Sequence, residues 1–450
     1  MREFKGMKVT VVGLARSGVG AANLLHTLGA DVTVTDSRPE VDLAAQTARL
    51  SPGIKKSLGS HPDELFTGAG LVVISPGVPF TAAPLVKARE SGACVMGELE
   101  LAYEVSSSPF IAITGTNGKS TTTTLVGEML RESGMHALVG GNLGNALTEE
   151  PEMLKGRDFV VAEVSSFQLE TIHAFRPKVS AILNLTQDHM DRYPGMKEYT
   201  EAKAAVFRNQ GEGDVLVLNA DDPPTAELAG NAKCEVVFFS RKSALDKGVY
   251  VRDGYMVNAL HGAGGDKVVA VNEIRIKGAH NLENALAAAA ISLCAGASED
   301  AVAKVLREFP GLEHRMEFVR ELDGVTYIND SKGTNVGAVE KSLEGFDSPV
   351  ILIAGGLDKH SDFSPLKKLM KERVKKLILI GKAAVVMYEA LGSETRTVKA
   401  GYDFGEAVKL ARESASPGDV VLLSPACASF DMFKDFEDRG RKFKELVNKL

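Results

Sequence analysis

Cysteine is scarce in this chain: four in 450 residues, Cys94, Cys234, Cys294 and Cys427, none in C-x-x-C spacing. That excludes a disulfide framework and a thiolate zinc site as organising features. No block of basic residues stands out, and 52 Lys and Arg against 59 Asp and Glu give a net charge of −7. Nucleic acid is therefore excluded as the main partner. Small anionic ligands are not excluded, because local loops bind them whatever the global charge. No apolar run approaches the roughly 20 residues that a membrane span needs. The opening "MREFKGMKVTVVGL" is too charged, and too soon a strand, for a signal peptide. No short-period repeat or low-complexity tract is visible. These absences together predict a cytoplasmic protein without an integral membrane segment.

Hydrophobic residues make up 44% of the chain and charged residues 25%, the range of soluble globular proteins. At 450 residues the chain exceeds one ordinary core, and about three domains are expected. Strand-like runs alternate with helix-like ones, which predicts parallel sheets covered by helices. The first block holds "KVTVVG", "DVTVTD", "LVVIS" and "CVMGELEL". The second holds "FIAIT", "FVVAEVS", "SAILNLT", "VLVLNA" and "EVVFFS". Residues 249–277 differ: Asp-Gly and Gly-Gly turns separate alternating runs, which predicts a small antiparallel patch. The third block, after the linker "EFPGLEHR", holds "GVTYIND", "PVILIAGG", "KLILIG" and "DVVLLSPA". The expected domains are 1–97, 98–308 and 309–450.

Two glycine loops follow strands. In "VTVVGLARSGVG", Gly13 and Gly18 flank Ala15, which stands where a dinucleotide fingerprint has its middle glycine. Asp36 ends the next strand. Backbone amides at such a helix start can hold a pyrophosphate. A nicotinamide cofactor, a UDP-sugar and a tight turn that binds nothing all satisfy this pattern. A second Gly/Pro loop, "SPGVPF", follows the "LVVIS" strand.

The other loop is "GTNGKSTTTT", after the buried strand "FIAIT". The usual P-loop places a glycine five residues before the one that precedes its lysine. Here that position is Ile113, and the nearest upstream glycine is Gly115. Yet Lys119 and Ser120 supply the cation and the magnesium-binding hydroxyl that a phosphate cradle needs. The run Thr121 to Thr124 is a poor helix former, so its hydroxyls or close packing are wanted there. A hydroxyl-capped helix with a chance lysine is the bland alternative.

The block T-G-T-N-G-K-S-T resembles the ATP loop of the Mur ligase family, which also includes folylpolyglutamate synthases and lacks the upstream glycine. "AEVSSFQLE", "LNLTQDHMDRY", "EAKAAVF", "GAHNLENALAA" and "LEHRME" match the same family in order. The resemblance implies three α/β domains: a Rossmann-like UDP-binding domain, a P-loop ATPase-like central domain, and a Rossmann-like C-terminal domain. It implies an ATP-dependent carboxylate–amine ligase of peptidoglycan precursor synthesis, forming ADP and phosphate through an acyl phosphate. "INDSKGTN", "GGLDKHSDF" and "SPACASFDMFKDFEDRG", without the D-N-P-R run of the diamino-acid ligase, imply D-glutamate as incoming amino acid. UDP-N-acetylmuramoyl-L-alanine is the implied acceptor, and a monomer the implied state. A folylpolyglutamate synthase-like ligase and a nicotinamide oxidoreductase are the rivals. The first would not need a UDP-binding block, and the second leaves the loop at Gly115 unexplained.

The resemblance assigns roles by position. Gly115, Thr116, Asn117, Gly118, Lys119, Ser120, Thr121, Asn281, Arg315 and Asp330 would meet ATP. Lys119, His189, Lys203 and Arg315 would be catalytic. Two magnesium ions would be held by Ser120, Glu163, His189 and a carbamylated Lys203. Ser17, Asp36, Ser37, Arg38, Gly77, Asn142 and His189 would meet the UDP substrate. Thr334, Lys359, Ser429 and Phe430 would meet D-glutamate. In a single cleft shared by three domains, closure on binding is expected.

Overall fold

The computed structural model describes residues 2–262, 264–359 and 361–450. His360, in the quoted "GGLDKHSDF", lies outside the described residues. The chain divides into two compact units. The first comprises Met1–Leu185, Tyr199–Val271 and Ala285–Leu306; the second comprises Thr186–Glu198, Asn272–Asn284 and Arg307–Leu450. Among the described residues, no helix is long and apolar enough to cross a membrane.

The first unit holds two sheets. One is parallel throughout, in the order Lys55–Leu58, Asp31–Asp36, Lys8–Val12, Leu71–Ile74, Cys94–Gly97. The other runs Asp266–Ala270, Tyr255–Asn258, Gly248–Arg252, Glu235–Ser240, Val215–Asn219, Val179–Ile182, Phe110–Thr114, Phe159–Glu163, Ala137–Gly141. Its pairs are parallel except the two that join Gly248–Arg252, Tyr255–Asn258 and Asp266–Ala270, which are antiparallel. The patch expected from the Asp-Gly and Gly-Gly turns is there. Phe110–Thr114 lies inside this sheet with all five residues buried, as its unbroken apolar run requires.

The two sheets share one hydrophobic core, from Val9, Val34 and Leu71 to Phe110, Phe175 and Leu216. Tyr103 packs against this core and meets Phe110 and Phe175 edge to face, with the three ring centroids 5.4 to 5.6 Å apart. Tyr103 belongs to the helix Glu98–Val105, which also buries two carboxylates. Glu98 Oε1 accepts from the Thr148 amide at 2.8 Å and the Thr148 hydroxyl at 3.0 Å. Glu100 accepts three consecutive amides, of His173 at 2.9 Å, Ala174 at 2.6 Å and Phe175 at 3.1 Å. One anion thus satisfies a whole turn of loop that would otherwise bury bare N–H groups.

The second unit is built on the sheet Glu317–Leu322, Val325–Asn329, Val420–Leu423, Val350–Gly355, Val374–Ile380, Thr397–Gly401. Its first pair is antiparallel and the rest are parallel. Helices cover both faces, burying separate clusters around Leu352 and around Ile353. The chain therefore adopts the expected α/β architecture. His280, in the first turn of the helix Ala279–Cys294, has its Nδ1 buried without a hydrogen-bond partner among the described residues. Burial first, then the charges of Arg315 and Lys341, push its pKa down from 6.5 to about 4.

Two stability tests follow from these buried groups. Glu100→Ala would strand three amides, so urea unfolding should show a loss of about 3 kcal/mol or more. His280 stays neutral in the fold, while the unfolded chain takes up a proton below about pH 6.5. Stability should therefore fall as pH drops from about 6.5 to about 4, by on the order of 3 kcal/mol from this group. His280→Asn should remove that component from urea midpoints measured across the window; an unchanged pH profile would contradict it.

Candidate active site

The phosphate-loop candidate sits where its strand ends inside the large sheet. Gly115 has φ 141°, and a Cβ there would stand 3.0 Å from Leu183 Cβ and 3.1 Å from its amide. Gly118, at φ 86°, precedes the helix Lys119–Glu132 and turns the chain into it. Both conformations favour glycine, for which the missing Cβ removes the penalty. The side chain of Asn184 braces the loop, accepting from the Asn117 amide at 2.8 Å and donating to its carbonyl at 3.1 Å. Thr116 Oγ1 lies 3.2 Å from the Tyr199 hydroxyl.

Two ammonium groups converge on one carbonyl. Lys119 Nζ donates to the Gly115 oxygen at 3.0 Å and to the Thr116 oxygen at 2.8 Å. Lys203 Nζ donates to the same Gly115 oxygen at 2.8 Å and lies 4.7 Å from the centre of the Tyr199 ring. Lys203 is only 2% exposed, so the surface lysine that an amphipathic helix usually carries is not what the fold makes of it. The Lys119 cation beside helix-start amides suits a polyanion.

Glu163 ends the neighbouring strand, in register with Ile113. Its Oε1 accepts from Asn142 Nδ2 at 2.7 Å, while Oε2 is buried with no hydrogen-bond partner among the described residues. A buried carboxylate oxygen without a donor among the described residues is the hard-oxygen chemistry that magnesium takes, and the Ser120 hydroxyl belongs to a second buried side chain of that kind. Thr121, Thr122 and Thr123 are also buried, their hydroxyls without partners among the described residues. The threonine run therefore packs inward as well as facing the loop.

The N-terminal loop is braced by Asp36, whose Oδ2 accepts from the Leu14 amide at 2.8 Å. Burial alone would raise this carboxyl. Hydrogen bonds from the Arg38 side chain and the Leu14 amide outweigh it and hold the group well below the ordinary carboxylate range. Gly18 sits so close to Gly13 that a Cβ would fall 1.9 Å from the Gly13 oxygen. Ser17 lies half-buried in the first turn of the helix Arg16–Thr27, and Ser37, Arg38 and Gly77 are exposed on the loops that follow Asp31–Asp36 and Leu71–Ile74.

The remaining expected residues belong to the second unit. Asn281 Nδ2 donates to the Lys277 carbonyl at 2.8 Å, so this amide folds back on the chain just before its helix. Asp330 is 4% exposed and accepts from Met316 N, Ser342 Oγ and Ser424 Oγ, which steadies the residue next to Arg315. Burial raises its pKa against those hydrogen bonds. His189 holds a left-handed φ of 59°, and its amide donates to Asp188 Oδ1 at 2.9 Å. Asp188, His189, Asn335 and Lys359 line one cleft of about 540 Å³, counting space open to solvent. Lys359 Nζ stands 3.6 Å from Asp188 Oδ1. Thr334 precedes that cleft's Asn335; Ser429 is buried and Phe430 is 69% exposed.

Several participants were not singled out by the sequence. Tyr199 lies four residues before Lys203, the spacing that places two side chains on one helix face. Asn335 stands just before the helix Val336–Glu344, where an asparagine signals a cap. Asn184 and Arg439 have no such local signal. Arg439 is fully buried and binds Ser331 Oγ and the carbonyls of Ser331 and Cys427, tying two of the quoted loops together. Glu313, His314 and Glu317 bring three ligand-type atoms within 4.8 Å of one another. Lys444 Nζ already bonds both carboxylates, at 2.9 and 2.5 Å, and these approach opposite ring nitrogens of His314. That group is an ion-pair network.

Comparison with known proteins covers the chain end to end. Residues 7–97 match the Mur ligase MurD-like N-terminal domain, 113–292 the Mur ligase middle domain, and 314–427 the Mur ligase glutamate ligase domain. The UDP-N-acetylmuramoylalanine–D-glutamate ligase of Pelotomaculum thermopropionicum is 48% identical over 452 residues, covering 100% of this chain and 99% of that protein. The ligase of the same name from Geotalea uraniireducens is 49% identical over 449 residues, covering 100% and 98%. Among solved structures, MurF ligase from Thermotoga maritima in complex with ADP is similar with TM-score 0.62 and 16% identity, covering 99% of this chain and 96% of that one. A pseudomurein peptide ligase type C from Methanothermus fervidus aligns with TM-score 0.62 and 21% identity, covering 99% and 100%. The structural likenesses speak for the fold, and the sequence matches, which enclose the loop at Gly115 as well as both flanking domains, make the chain a member of the Mur ligase family.

Proposed function

We propose that this protein is an ATP-dependent ligase that joins D-glutamate to UDP-N-acetylmuramoyl-L-alanine, releasing ADP and phosphate, in cytoplasmic peptidoglycan precursor synthesis. The observation that carries the reading is that the Lys119 and Lys203 nitrogens both donate to the Gly115 carbonyl, while a buried Glu163 oxygen has no hydrogen-bond partner among the described residues. The name shared by relatives nearly half identical over the whole chain supports the choice of substrates. The three-way division at 97 and 309, one domain per ligand, is part of the same proposal.

A carboxylate does not react with an amine, because oxide is a hopeless leaving group. Moving the terminal phosphoryl group of ATP onto it gives an acyl phosphate. The amine of D-glutamate then attacks, and phosphate leaves from the tetrahedral intermediate. Lys119 and the loop amides hold the phosphates and offset charge on the group in flight. Ser120 and Glu163 would hold magnesium, which when bound neutralises phosphate charge as a Lewis acid. Lys203 is assigned as a carbamate, an anion made by adding carbon dioxide to the neutral amine. Its burial against the Tyr199 ring supports that assignment by limiting exchange with water. In the second unit Lys359 and Thr334 would take the carboxylates of D-glutamate, with Ser429 and Phe430 beside them. Arg315 and Asn281 would meet ATP, and Asp36, Arg38 and Gly77 the UDP group.

The test is phosphate release with UDP-N-acetylmuramoyl-L-alanine, ATP and one amino acid at a time. Release is expected with D-glutamate only. Release with L-glutamate and not the D form would overturn the substrate assignment, and no ADP with any amino acid would overturn the ligase reading. Lys203→Ala should lower kcat by about a hundredfold or more. Short carboxylates added to that variant should restore part of the rate. A dead variant that no carboxylate rescues would leave the lysine essential but remove the carbamate.

A further inference from the structure

Asn335 uses its two side-chain polar atoms on different partners. As N-cap of the helix Val336–Glu344, its Oδ1 accepts from the Ala338 amide at 2.8 Å. That bond fixes the plane of the side-chain amide. Its Nδ2 is thereby aimed at Asp188 and donates to Oδ2 at 3.0 Å. The cap alone would be served as well by serine or aspartate. Only asparagine carries, on a separate atom, a donor that reaches a carboxylate from the same position. Asparagine therefore serves the cap and the bond to Asp188 at once.

Asp188 is the hub of the cleft. Its Oδ1 takes the His189 amide at 2.9 Å and faces Lys359 Nζ at 3.6 Å. A relaxed ammonium–carboxylate contact closes to about 2.7–2.9 Å. Lys359 is thus near its anion without being closed onto it, and Asn335 binds the opposite oxygen. We propose that Asn335 is a positioning residue of the amino-acid site: it restrains Asp188 so that the Lys359 ammonium stays placed, and not quenched, for a carboxylate of the incoming amino acid. The same bond pins the segment 186–198 to the helix start. The proposal rests on the reading that Lys359 receives the amino acid.

The informative variant is Asn335→Asp in the full chain. Aspartate keeps the cap, but it meets Asp188 with like charge and drives it toward Lys359. KM for D-glutamate should rise about tenfold or more, the scale of a lost hydrogen bond to a charged group. KM for ATP and for UDP-N-acetylmuramoyl-L-alanine should stay within about twofold, since the cap that positions the helix survives. Amide exchange measured without substrates should quicken in 186–198 and stay slow in 336–344. Asn335→Ser, which caps without reaching Asp188, should shift the same quantities in the same direction and serves if the aspartate variant misfolds. A uniform rise in all three KM values with lost stability would reduce Asn335 to a structural cap and overturn the proposal. So would an unchanged KM for D-glutamate. If the parent protein does not use D-glutamate, the functional reading fails by itself. The exchange comparison still decides the tether, and unchanged exchange in 186–198 overturns it.

Discussion

The meeting of Lys119 and Lys203 on the carbonyl of Gly115 is the constraint around which the first unit is arranged. Two donors crowd one acceptor here, and only a fold that fixes both stems can keep them there. The strand Phe110–Thr114 delivers the carbonyl from inside the large sheet, so the loop cannot drift. Gly115 and Gly118 allow the turn, and Asn184 ties the middle of the loop on both of its backbone groups. A negatively charged ligand arriving at this place meets charge already in position, and the cost of gathering it has been met during folding.

Buried ionic groups do the same work elsewhere, each through backbone atoms. Glu100 gathers three successive amides, and Arg439 gathers two carbonyls and a hydroxyl from loops far apart in sequence. A group that binds only one loop stabilises a turn, whereas one that binds two sets their separation. Burial and the loss of water push the Arg439 guanidinium down to about 10, a measure of how fully its hydrogen bonds must replace solvent. The loops beginning at Asp330 and at Ser424 are in this sense one structure, with Asp330 accepting from Ser424 as a second tie.

Strands were legible where both faces are buried and obscure where one is wet. "FIAIT", "VILIAG" and "VVLL" read directly as apolar runs. Lys55–Leu58, Ala137–Gly141, Glu317–Leu322 and Thr397–Gly401 did not, and every one of them is an edge of its sheet. Their burial is partial and their residues mixed, as for Glu317–Leu322, which carries Glu317, Arg320 and Glu321. An edge strand exists because a neighbour offers hydrogen bonds, and that neighbour is invisible in the local sequence. The same holds for the site. Lys119 and Ser120 were legible because the loop is contiguous, whereas Asn184 and Asn335 act on partners 67 and 147 positions away.

The sequence by itself determined the alternation of buried strands and helices, the antiparallel patch, the lysine-bearing glycine loop and the family resemblance. All of these rest on neighbours in the chain, where periodicity, turn chemistry and motif spacing operate over a few residues. Tertiary structure alone decided that Lys203 is buried and shares an oxygen with Lys119, that one Glu163 oxygen meets no donor among the described residues, and that Asn335 restrains Asp188. Those are matters of which distant groups are brought within about 3 Å, the range over which hydrogen bonds act. Local sequence specifies the groups and their orientation on an element; only the packing of elements specifies what each of them meets.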